Sequence, residues 1–218
     1  LKTDDLSLFI NTIKKLGITR VEGKLVYDNS YLPDVNYINR NQLPQYAYNP
    51  GMGAINLNEN RILFKWKRVE KGKYEISLTA PGIKNSAQTR NITMDLENNN
   101  GPVYNYKIDK NKFKEIWSVN KKILSKKGSR WLPVRESSYY TTEVLRQLLI
   151  DKGIEIGHLK RGTVPKKSKL LCTHYSEKNM IILKNALKYS KNMVTESIGL
   201  VASKTISSNL YDLDQSAV

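Results

Sequence analysis

Ser190, Lys191 and Asn192 set a hydroxyl, an ammonium and a carboxamide side by side. A hydroxyl can relay a proton, and an amide can donate and accept at one point, without either carrying a charge that must be desolvated. The pattern, Ser-x-Asn, is short enough that roughly one or two chance matches are expected in a chain like this. It occurs at 118–120, 190–192 and 207–209. Ser118 also begins a Ser-x-x-Lys spacing with Lys121, the arrangement in which a lysine amine activates a serine one helical turn away. Its surroundings, KFKEIWSVNKKIL, alternate as a strand does, and residues i and i+3 of a strand face opposite sides. Ser118 is therefore rejected as a nucleophile. His158 and His174 are isolated, no cluster has metal-ligand spacing, and no Gly-rich phosphate loop is present. Cys172 is the single cysteine and reads as a small buried apolar residue. No cofactor and no metal are inferred.

The elements that must carry Ser190 come at the end of the chain. Ser176 reads as the cap of a helix with Met180, Leu183, Ala186 and Leu187 on one face. Beyond Ser190, residues Met193, Val194, Ser197, Ile198 and Val201 form a second helical stripe, expected to pack as core. The SKN tripeptide thus falls at a helix junction, where side chains can converge on a cleft.

Upstream, TDDLSLFINTIKKL is an amphipathic helix with Thr3 or Asp4 as its cap and Gly17 closing it. One or two strands broken at Gly23 follow, then a turn at Asp28-Asn29-Ser30. Residues 31–53 are irregular, and Tyr37, Tyr46 and Tyr48 either line a pocket or pack the loop onto its own domain. INLNENRILFKWKR reads as a hairpin turning at Asn58-Glu59-Asn60, with Ile62, Phe64 and Trp66 facing inward. Strand signals continue through YEISLTA, TRNITMDL, VYNYKI and KFKEIWSVN, with a turn at 109–111. A helix near 141–152, capped by Thr141 or Thr142, ends at Lys152-Gly153.

The 218 residues hold 36 Lys and Arg against 20 Asp and Glu, a net charge of +16 that attracts polyanions: nucleic acid, anionic lipid or acidic cell-wall polymer. Dispersed pairs such as Lys121-Lys122 and Lys166-Lys167 read equally as a solvated basic surface. No run approaches the roughly 18 apolar residues of a membrane span. The start shows neither a basic-then-apolar leader nor an initiator Met, so the chain is expected to be a segment of a longer one.

Four strings carry a resemblance that runs over essentially the whole chain: KTDDLSLFINTIKKLGITRVEGKLVYDNSYL, GAINLNENR, WLPVRESSYYTTEVLRQLLIDKGI and LKYSKNMVTESIGL. They resemble the low-molecular-mass penicillin-binding proteins, D-alanyl-D-alanine carboxypeptidases and endopeptidases with a large insertion between their SxxK and SxN motifs. The resemblance implies an α+β fold, part of a β-lactamase/transpeptidase-like domain with an inserted β-rich region. Residues 1–30 and 166–218 would belong to the transpeptidase-like part, the latter carrying SxN, and 31–165 to the insertion.

The resemblance also selects among the three matches, making Ser190 and Asn192 the catalytic pair and leaving Lys191 pointing elsewhere as a solvated side chain. SxxK would precede Leu1 and KTG would follow Val218, since Lys204-Thr205-Ile206 lacks the glycine; this segment alone would be inactive. The implied substrates are peptidoglycan stem peptides or cross-links, cleaved through an acyl-enzyme, with β-lactams reacting at the same site of the full-length protein. Gln42, Tyr46 and Tyr48 would contact the stem peptide; relatives tend to carry an acidic residue where Asn41-Gln42 stands here. The implied location is periplasmic or otherwise extracytoplasmic, with contact to an anionic envelope and no nucleic-acid partner. The alternative is a basic β-rich binding module for nucleic acid or another polyanion.

Overall fold

A computed structural model describes residues 1–109, 111, 113–207, 209 and 211–216. The N-terminal amphipathic stripe folds as expected: a 3-10 turn over Thr3–Leu6 runs into helix α1 (Ser7–Lys15), and Leu6 and Ile10 are buried. The cap differs from the expectation. Thr3 turns its hydroxyl to Ala80 O (3.3 Å), and Asp4 accepts from the backbone N–H groups of Ile83, Lys84 and Asn85, tying the helix start to a distant loop. Strands β1 (Arg20–Val21) and β2 (Leu25–Tyr27) follow, then the expected turn, in which Ser30 N donates to Asp28 Oδ1 (3.0 Å).

The hairpin expected about residues 58–60 does not form. Residues 55–57 are not a strand; Asn58, Glu59 and Asn60 all take left-handed φ (51°, 55° and 51°) and feed β3 (Arg61–Glu70). β3 turns instead into β4 (Lys73–Pro81), followed by a short β5 (Ser86–Gln88). As the alternation predicts, Ile62 and Phe64 are fully buried. Next come β6 (Ile92–Glu97), β7 (Tyr104–Asp109), β8 (Lys114–Asn120) and β9 (Lys127–Pro133). The expected turn at 109–111 includes Lys110, outside the described residues. The largest sheet has the order β5-β4-β3-β9 and is antiparallel; a three-stranded one is β6-β8-β7, with β6 parallel to β8.

Helix α2 (Ser137–Asp151) starts four residues before the expected cap. Thr141 and Thr142 do not cap it: their hydroxyls donate back one turn to Ser137 O and Ser138 O (2.8 Å each), which keeps them inside the helix. β10 (Glu155–Ile156) and β11 (Leu159–Arg161) return to pair in parallel with β1 and β2. One apolar core joins Leu6 and Ile10 to Phe64, Trp117, Tyr140 and Leu149.

Two further helices, α3 (Asn179–Lys188) and α4 (Asn192–Ser207), and a short α5 (Leu213–Ser216) complete the chain. Ser176 does not cap α3, which starts three residues later; its hydroxyl donates to Glu177 O (3.2 Å). The stripe on α4 is only partly core. Leu200 is buried and packs with Leu32 and Met52, and Met193 packs against that group. Val194, Ile198 and Val201 line an open groove of about 630 Å³ with Ile182 and Leu183 of α3, because nothing among the described residues covers them.

Candidate functional site

Ser190 is the residue on which α3 stops. Its N–H bonds to Leu187 O (3.4 Å) and that of Lys191 to Ala186 O (2.9 Å), the paired 5→2 and 6→1 bonds of a Schellman ending, with Ser190 at the left-handed position (φ 48°). The same pairs close α1 at Gly17 (Gly17 N to Lys14 O, Ile18 N to Ile13 O) and α2 at Gly153 (Gly153 N to Ile150 O, Ile154 N to Leu149 O). Gly17 and Gly153 have φ of 70° and 80°, where glycine has no Cβ penalty. At the third such ending a serine takes the glycine position and projects an exposed hydroxyl.

Lys191 then joins the two helices: its N–H closes α3, and its carbonyl accepts from Val194 N and Thr195 N in the first turn of α4. Its side chain is not free in solvent as expected. Nζ lies 2.6 Å from Glu59 Oε1, while Glu59 Oε2 lies 2.6 Å from Arg61 Nη2, so one carboxylate bridges two cations about a third exposed. Glu59 is held by its neighbours. Asn58 Nδ2 reaches Thr3 Oγ1 (2.8 Å) and Pro81 O (3.1 Å), and fully buried Asn60 donates to Gly51 O (2.8 Å) and accepts from Leu57 N (3.0 Å).

Asn192 donates to Tyr48 O (3.4 Å), and the Tyr48 ring stacks on Tyr46 (centroids 5.1 Å apart). Ser190, Lys191 and Asn192 line a cleft of about 130 Å³ with Tyr48, Glu59 and Arg61. Tyr46 stands behind Tyr48. Gln42 is not among the cleft's lining residues; it lies in the part of the loop that Asn49 closes by bonding both N and O of Asn39 (2.8 and 2.7 Å).

What fixes this loop lies outside its own sequence. Arg135, just before α2, points its guanidinium into the loop, donating to Asn36 O (3.3 Å), Pro44 O (2.7 Å) and Asn49 O and lying 4.0 Å from the Tyr37 ring centre. So Tyr37 packs its own loop. Under Arg135, fully buried Glu115 accepts from Arg135 N, Glu136 N (3.0 Å) and Tyr106 Oη (3.2 Å). Burial pushes the Glu115 carboxyl up to about 7, against the opposing pull of the Glu136 and Arg135 backbone donors. A signal did exist: Glu115 is in phase with Trp117 and Val119 on the buried face of its strand.

The other motif matches are dispersed. Ser118 lies in β8, 7% exposed and in register between Asp95 and Asn105, with Lys121 in the following 3-10 turn. The third match contains Ser208, outside the described residues. Lys204 and Thr205 sit in α4, where Lys204 Nζ reaches Tyr31 O (2.5 Å) and Thr205 bonds back to Val201 O (2.8 Å). Among the described residues no group of three or more His, Cys, Asp or Glu could hold a metal ion, and no helix is long and apolar enough to cross a membrane.

The sequence profile of the D-Ala-D-Ala carboxypeptidase 3 (S13) family matches residues 1–216. The chain belongs to this peptidase family. Its fold is similar to the crystal structure of penicillin-binding protein 4 from Haemophilus influenzae, with a TM-score of 0.72 and 18% identity over 100% of this chain and 49% of that one. A second crystal structure of that protein, complexed with a novel β-lactam, gives a TM-score of 0.64 and 19% identity over 96% and 45%. The chain thus spans about half the length of these solved relatives. No curated protein sequence matches it.

Proposed function

We propose that this chain is the SxN-bearing portion of a serine-type D-Ala-D-Ala carboxypeptidase or endopeptidase, cleaving peptidoglycan stem peptides or cross-links through an acyl-enzyme outside the cytoplasm. Membership of the S13 family supports the reaction class. The observation that carries Ser190 into it is the exposed serine at a helix ending that two other helices build with glycine. A residue kept against backbone preference at a cleft points to use of its side chain.

In this reading a serine of an SxxK motif outside the chain attacks the substrate carbonyl and gives its proton to the motif's lysine, while backbone N–H groups hold the oxyanion. Ser190 relays the proton to the departing amine. Asn192 steadies that lysine and the substrate backbone through its amide. Tyr48, with Tyr46 stacked behind it, forms one wall for the stem peptide, and Gln42 is assigned to the same loop's contact with it. No step calls for a cofactor. Residues 1–30 and 166–218 are assigned to the transpeptidase-like frame and 31–165 to the insertion; the open apolar groove between α3 and α4 is a surface the rest of such a frame would cover, and β10 and β11, inside 31–165, join the two parts by pairing with β1 and β2. The net charge of +16 suits an anionic envelope. Nothing in the site or the comparisons favours the nucleic-acid alternative.

Fluorescent penicillin tests the reading. The full-length protein is expected to be labelled covalently, and Ser190→Ala to slow acylation by on the order of 10² to 10⁴, the usual weight of a proton-transfer group. Unchanged labelling of the variant would remove Ser190 from the mechanism.

A further inference from the structure

We infer that Glu59 is a positioning residue for the SxN site, acting through the variable middle position, Lys191. The inference rests on the proposed function. Lys191 is the one residue whose backbone serves both helices: its N–H closes α3 and its carbonyl opens α4. Whatever fixes Lys191 therefore fixes the junction from which Ser190 and Asn192 project. Its side chain crosses to Glu59, 132 positions away in sequence, at 2.6 Å.

The anchor itself is rigid. Glu59 is the middle of three consecutive left-handed residues, and Asn58 and Asn60 on either side are locked by hydrogen bonds to Thr3, Pro81, Gly51 and Leu57. Arg61 takes the second carboxylate oxygen and lies against the Trp131 ring (5.5 Å to its centre), so the carboxylate has little room to swing. Asn60 Nδ2 also sits 3.3 Å from Met193 Sδ, a second contact between this turn and the start of α4. Ion pairs this exposed add little to global stability. Their worth here lies in geometry, because the reach of a proton relay is lost over fractions of an ångström to an ångström.

The test is a double-mutant cycle on the full-length protein, reading β-lactam acylation together with noncovalent affinity and thermal midpoint. Glu59→Gln and Lys191→Met are each expected to slow the acylation step about tenfold, with affinity and midpoint little changed. The double variant should also be about tenfold slower, since both substitutions break one link, and Lys191→Arg should stay within about threefold of wild type. Single variants that acylate at the wild-type rate, or losses that multiply in the double variant, would overturn the inference. A wild-type protein that takes no label would instead overturn the proposed function, and this inference with it.

Discussion

A serine held where Gly17 and Gly153 stand in equivalent turns strains the backbone by about 1 kcal/mol, the steric cost of a Cβ at left-handed φ. That cost separates stability from activity at one position. Ser190→Gly should therefore stabilise the fold by about 1 kcal/mol while slowing acylation by the factor expected for Ser190→Ala. Thermal unfolding and penicillin labelling of the same sample check both halves. A lower midpoint in the glycine variant would mean that the serine side chain supports the junction. Lys191 shows where reading a sequence stops short. Its neighbours were legible as a motif, but its partner is a residue in a different turn, and no local pattern announces that pairing.

At the scale of elements, the 31–53 loop is held in place by Glu115 and Arg135, and this makes its anchoring depend on pH. Burial raises the Glu115 carboxyl to about 7, above its value in an unfolded chain near 4.5, so the folded state binds the proton more tightly. The resulting stabilisation is complete below about pH 4.5 and is lost as pH rises through about 7, an effect on the order of 3 kcal/mol. Glu115→Gln cannot ionise, so its urea midpoint should lack the decline that the wild type shows between pH 5 and 7.5. Parallel curves for the two proteins would mean the carboxyl is already charged at pH 5. Elements with a clear period were legible: apolar spacing together with the turn and capping residues between them marks α1, β4, β6, β7 and β8. β9 was not, because KGSRWLP shows little apolar alternation and is held as a strand by β3 beside it. The starts of α2 and α3 were misplaced because Thr141, Thr142 and Ser176 use their hydroxyls on carbonyls instead of on free N–H groups.

On the scale of the whole molecule, the fold class and the strand setting of Ser118 were legible, the first from strand and helix periods together with the family strings and the second from the alternation around Ser118. The hidden part was long-range: which turn meets Lys191, which carboxyl lies under Arg135, and which strands meet β1 and β2. That last pairing bears on the order in which the protein acquires structure. Residues 20–27 find their partners only at 155–161, with more than half the chain between them. Closing so long a loop is entropically costly and must await the intervening sheets and α2, which shorten the effective distance. Residues 20–27 should therefore be among the last to be protected, and pulsed amide exchange during refolding should find them gaining protection together with 155–161, after β3, β4 and β8. Protection of 20–27 ahead of those sheets would contradict this order. Until then residues 20–27 present two unpaired strand edges, the kind of surface on which partly folded chains associate.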